Sequence, residues 1–113
     1  MTSNNKTIAS YPIHVFCLLI PEVDKETFAE IVDSIKNDGL LEPIVLYDGK
    51  ILDGRTRYNA CKEANVEPEF VQFEEVCPNV KLAVTQQERD HKAFTFVFTK
   101  NCYRRHLNTS QPT

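Results

Sequence analysis

Ile51-Leu52-Asp53-Gly54-Arg55-Thr56-Arg57-Tyr58-Asn59-Ala60 joins an apolar run to a helical repeat through a single glycine. Just upstream, Pro43-Ile44-Val45-Leu46-Tyr47 and Lys50-Ile51-Leu52 flank Asp48-Gly49. Asp-Gly between two apolar runs predicts a tight hairpin, because both central residues tolerate positive φ. After Asp53-Gly54 the period changes: Tyr58, Cys61 and Ala64 recur at helical spacing, and Asn65 can close that helix in the left-handed conformation. The predicted order is strand, turn, strand, glycine, helix.

That order has a chemical use. The first turn of a helix presents unpaired N–H groups and the positive end of its dipole, and together these attract anions. Gly54 lets the backbone approach a phosphate, Thr56 adds a hydroxyl donor, and Arg55 and Arg57 add bidentate guanidinium donors. Two arginines in a first turn oppose the dipole, and a bound anion would relieve that conflict. The competing explanation is structural: Arg55 and Arg57 pair with nearby acids such as Asp53 or Glu42, and Asp53 caps the following helix. A Walker A loop is excluded, because GxxxxGK[ST] is missing and the chain has only 3 glycines.

Working outward, Ile13 to Leu19 carries enough β-branched and aromatic residues to predict a strand, ended by Pro21. Asp24 is a predicted N-cap with Glu26 in the first turn, and Phe28, Ile31, Val32 and Ile35 form an amphipathic stripe that Gly39 stops. Phe70 to Phe73 predicts a further short strand. Phe94, Phe96 and Phe98 alternate as in a strand, yet Ala93, Phe94, Val97 and Phe98 also make a helical face, and periodicity alone leaves both open.

The 113 residues suit one domain, with residues 1–10 a disordered tail, 11–107 the ordered body and 108–113 a second tail or the start of a further helical region. No apolar run approaches a membrane span and no secretory signal opens the chain, so a cytoplasmic location is expected. Cys17, Cys61, Cys77 and Cys102 lack metal-ligand or disulfide-framework spacing and are expected to be free thiols. The formal net charge of -3 argues against a uniformly basic nucleic-acid binder. Its distribution says more: from Lys81 to His106 bases outnumber acids, which could set cations against an anionic ligand. A solvated helix face is the simpler account of Lys81 to Lys92.

Asp38-Gly39-Leu40-Leu41-Glu42-Pro43-Ile44-Val45-Leu46, followed by Ile51 to Ala60, resembles the N-terminal domain of ParB-type partition proteins, within the ParB/sulfiredoxin-like group. In that family a G-L-x-x-P-[IV] stretch leads into a hairpin and a phosphate-binding GxxR helix start. Asn101-Cys102-Tyr103-Arg104-Arg105 is similar to the family's second phosphate motif, N-x-x-R. The resemblance implies an α/β (α+β) fold, a small mixed sheet with packed helices. It implies a nucleotide ligand, CTP or ATP/ADP, held by Gly54, Arg55, Thr56 and Arg57 on one side and by Asn101, Arg104 and Arg105 on the other. It also implies a helix through the phenylalanine stretch, DNA contact through a separate or missing domain, a homodimer as one assembly, and a plasmid or phage partition setting. No membrane partner is expected.

Departures from the family pattern are informative. Where the family carries an acid that helps to hold Mg2+, this chain has Lys100, which cannot ligate a metal; this weighs against magnesium-dependent hydrolysis. Sulfiredoxins place a catalytic cysteine just after the turn glycine, where Arg55 stands here, so that activity is not expected. Free-serine kinases of the same group have a turn much like Asp53-Gly54-x-Thr56-Arg57 and need a general base, for which Glu22, Glu42 and Asp53 are candidates. A ParB-like nuclease would want clustered carboxylates, and the sequence does not supply them.

Overall fold

The computed structural model describes residues 8–39 and 42–109, with side chains as far as Asn101. Ile44–Tyr47 (β1) and Lys50–Asp53 (β2) form the expected antiparallel hairpin. Asp48 and Gly49 make its turn with φ of 53° and 72°, the pair of positive angles that a two-residue hairpin loop requires. Phe70–Gln72 (β3) pairs parallel to β1 on its other side, so the sheet is mixed with the order β2-β1-β3. The central strand is buried on both faces. Val45 and Tyr47 pack with Leu52, Phe73, Val80, Ala93 and Val97, while Ile44 and Leu46 pack with Ile51 and Tyr58. This explains an unbroken apolar run where an exposed sheet would alternate.

Pairing in the hairpin shifts by one residue: Leu46 faces Ile51, but Val45 faces Asp53. Leu52 is the extra residue of a β-bulge. Bulges re-aim the side chains beside them, and this one lies immediately before Asp53 and Gly54.

Lys25–Asp38 (α2) starts where expected: the Asp24 carboxylate accepts the Thr27 N–H at 2.7 Å, and Gly39 ends the helix with φ 79°. Its Val32 and Ile35 pack on Ala60 and Cys61 of Arg55–Ala64 (α3), which Asn65 closes in the left-handed region. The strand expected over Ile13 to Leu19 is corrected. Only Ile13 bridges to Ile51, and Val15–Leu18 forms a single helical turn (α1). The cause is local: the His14 ring nitrogen accepts the Phe16 N–H at 3.1 Å, capping a helix and breaking the extended run. The turn buries Cys17 and leaves Val15, Leu18 and Leu19 exposed.

The strand expected through Phe73 ends at Gln72. A reciprocal cap between Gln72 and Glu75 starts Phe73–Val76 (α4), followed by a 3-10 turn over Pro78–Leu82. Gln86–Thr109 (α5) then runs as one helix through the phenylalanine stretch, which resolves that ambiguity in favour of helix. Thr85 and Glu88 cap its start reciprocally. The Tyr47 hydroxyl donates to Asp90 at 2.7 Å and accepts from Gln86 at 2.9 Å, tying that end of α5 to the hairpin. Burial and the Asp90 carboxylate push the Tyr47 hydroxyl up to about 12. At the other end of the chain, Ile8 packs beneath the sheet and the Ala9 carbonyl accepts from Tyr58, so these two residues of the expected tail touch the body. Among the described residues no helix is long and apolar enough to cross a membrane.

Candidate functional site

The start of α3 opens onto a cavity of about 440 Å³. Gly54, Arg55, Thr56, Arg57 and Asn101 all line it, together with Asp53, Glu42 and residues of the α1–α2 connection. Five of the seven residues proposed from sequence are thus gathered in one place. The backbone of α5 includes Arg104 and Arg105, but their side chains lie outside the described residues.

Gly54 sits at φ 108°, ψ 23°, and no side chain caps the helix it opens. Asp53, the obvious candidate for that cap, points elsewhere, so the positive end of α3 is left facing the cavity. Space at Gly54 is short as well. A Cβ there would lie 3.0 Å from Arg57 Nη2 and 3.2 Å from Ile44 Cγ1. Gly54→Ala is therefore expected to cost about 1–3 kcal/mol of stability through its backbone angle alone, and to displace Arg57 besides. Urea unfolding checks this: a loss below about 0.5 kcal/mol would show that the turn relaxes without strain.

Arg57 is firmly placed. Its Nη2 donates to the Pro43 carbonyl at 3.1 Å and to Asp53 Oδ2 at 3.4 Å, and its Nη1 lies 3.3 Å from Glu42 Oε1. The acid pairing considered as the structural alternative is thus present for Arg57. It is compatible with anion binding, because the Glu42 side chain is 49% exposed and such ion pairs exchange at little cost. The Arg57 Nε is buried with no hydrogen-bond partner among the described residues. Arg55, also on the cavity wall, donates to the Ile20 carbonyl at 2.6 Å, with Glu22 at 3.9 Å. This bond holds the α1–α2 connection against α3. Thr56 is half-buried on the cavity wall. On α5, Asn101 donates to the Val97 carbonyl of its own helix at 2.8 Å, and its amide oxygen and second N–H have no hydrogen-bond partner among the described residues.

Two features were not legible in the sequence. Lys100 Nζ lies 3.2 Å from Asp53 Oδ2, so Asp53 sits between a cation from α3 and one from α5. The other is Cys17. Sequence spacing alone leaves no thiol at the turn, yet α1 brings Cys17 to the cavity, where its sulfur accepts the Arg55 backbone N–H. Burial pushes this thiol up, and the N–H and guanidinium of Arg55 only partly offset that, so it stays protonated and is a poor nucleophile. Cys61 is fully buried in the α2–α3 contact, where burial also raises its pKa.

No curated protein matches the chain. The family model of the ParB N-terminal domain matches residues 12–90, a span that takes in α1, α2, the hairpin, the Gly54 turn and the start of α5. The Asn101 to Arg105 segment lies beyond it. With the mixed sheet and its glycine-opened helix both inside the matched span, the chain belongs to the ParB N-terminal domain family.

Proposed function

We propose that this chain is a nucleotide-binding regulatory module of a ParB-like, DNA-associated protein. One observation carries the proposal: the uncapped, glycine-opened start of α3 faces a cavity that Thr56, Arg57 and Asn101 also line. A volume of about 440 Å³ is within the range of small-molecule sites. The phosphates of CTP or of ATP/ADP would lie against the N–H groups of the first turn of α3. Arg57 would exchange Glu42 for a phosphate oxygen, and Asn101 would approach from α5. DNA contact belongs to a separate domain, since the net charge of -3 gives this one no general affinity for a polyanion. Pairing into a homodimer would place two such sites in one assembly.

Calorimetric titration with CTP, ATP, ADP and GTP, on the natural sequence and on Arg57→Ala, tests the site. Loss of a charge-assisted, bidentate contact is expected to weaken binding at least about tenfold. Unchanged affinity in the variant would remove Arg57 from the site, and no binding by any of the four would defeat the nucleotide assignment.

A further inference from the structure

Nucleoside polyphosphates normally travel with Mg2+, which binds hard oxygen ligands in near-octahedral geometry and usually rests on one or two carboxylates besides the phosphates. The residues at this cavity do not fit that ion. Asp53 is the only carboxylate buried among the described residues, at 5% exposure. Its Oδ2 already faces Lys100 Nζ at 3.2 Å and Arg57 Nη2 at 3.4 Å. A divalent cation on that oxygen would meet two positive charges held in place by the fold. Glu42, the other carboxylate at the cavity, is engaged by Arg57 at 3.3 Å.

Lys100 is itself well anchored. Its ammonium lies 5.5 Å from the centre of the Phe96 ring, one turn back on the same helix, and the side chain is 29% exposed. That leaves the ammonium in contact with both Asp53 and solvent. Lys100 does not itself line the cavity; it precedes Asn101, which does, and its ammonium meets the cavity through the Asp53 carboxylate.

We infer that Lys100 takes the place of a divalent cation at this site, so that the cavity binds a nucleotide's phosphates in their metal-free form. The inference rests on the nucleotide assignment and adds a specificity to it. A tethered ammonium supplies countercharge without the six-fold oxygen shell, and a magnesium-loaded polyphosphate arrives with its charge already neutralised. Excess Mg2+ therefore weakens binding or leaves it unchanged.

The test is calorimetry on the full chain with CTP and ATP, once in EDTA and once in excess Mg2+. The natural sequence is expected to bind at least as tightly in EDTA. Lys100→Met, which keeps the stem over Phe96, is expected to bind about tenfold more weakly in EDTA. Lys100→Glu puts a carboxylate beside Asp53 and is expected to bind only when Mg2+ is present. Binding by the natural sequence that is more than about tenfold tighter with Mg2+ would overturn the inference while leaving the nucleotide assignment intact. Undiminished affinity in Lys100→Met would also overturn it. Absence of binding in both buffers would defeat the nucleotide assignment and the inference with it. The comparison on the natural sequence requires no variant to fold.

Discussion

Asp53→Asn should lower the stability of the fold by about 2–3 kcal/mol and, at the same time, tighten its hold on phosphate. The carboxylate is 5% exposed and offers one oxygen to two cations, Arg57 from α3 and Lys100 from α5. Replacing it with an amide of the same shape leaves Arg57 with the half-exposed Glu42 alone and takes the paired carboxylate from Lys100. Their side chains retain 16% and 29% exposure, which keeps the cost below that of a fully buried pair. In a domain of this size the loss corresponds to a melting temperature lower by about 10 °C. With one anionic competitor removed from both cations, inorganic tripolyphosphate should bind the variant more tightly than the natural sequence and restore most of the lost stability. Thermal melts with and without tripolyphosphate measure both effects. An unchanged melting temperature, or weaker rescue than in the natural sequence, would show that Asp53 does not hold these cations.

Phe73→Ala is the second large effect, expected at about 3–5 kcal/mol. Phe73 is fully buried and stands edge-on to Tyr47 of β1 at 5.5 Å and to Phe96 of α5 at 5.3 Å. It joins the central strand to the helix that carries Lys100 and Asn101, so removing its ring opens a cavity between sheet and helix. Phe73→Leu should recover about half of the loss, since it refills much of that volume. Guanidinium unfolding gives both values, and a loss under about 1 kcal/mol for the alanine variant would mean that α4 collapses into the gap.

What was legible in the sequence was local. Asp48-Gly49 demands positive φ at two residues in a row, and Asp24, Gly39 and Asn65 each cap a helix by chemistry contained within a few residues. Such signals need no knowledge of the rest of the fold. Val15 to Leu18 failed because β propensity reports packing on a sheet face, and the edge of β2 is met only as far as His14, whose ring then caps a helix. The start of α5 carries a local signal of the same kind, since Thr85 and Glu88 have the spacing of a capping box. Half of the candidate site was legible for the same local reason, since Gly54 to Arg57 is one turn of one helix. The pairing of Lys100 with Asp53, the arrival of Cys17 and the bond of Arg55 to Ile20 join residues distant in sequence. No local pattern records these.

The hydrogen bonds of Tyr47 to Gln86 and Asp90 fasten the start of α5. They also make that point a pivot. At about 1.5 Å of rise per residue, Lys100 lies roughly 15 Å along the helix from Asp90. A tilt of about 5° at the pivot would swing it by roughly 1.3 Å over that arm. Such a swing is large enough to part a 3.2 Å ion pair. The alignment of Lys100 and Asn101 with the Gly54 turn is therefore set in part at the hairpin, by a phenol that is not itself among the residues lining the cavity.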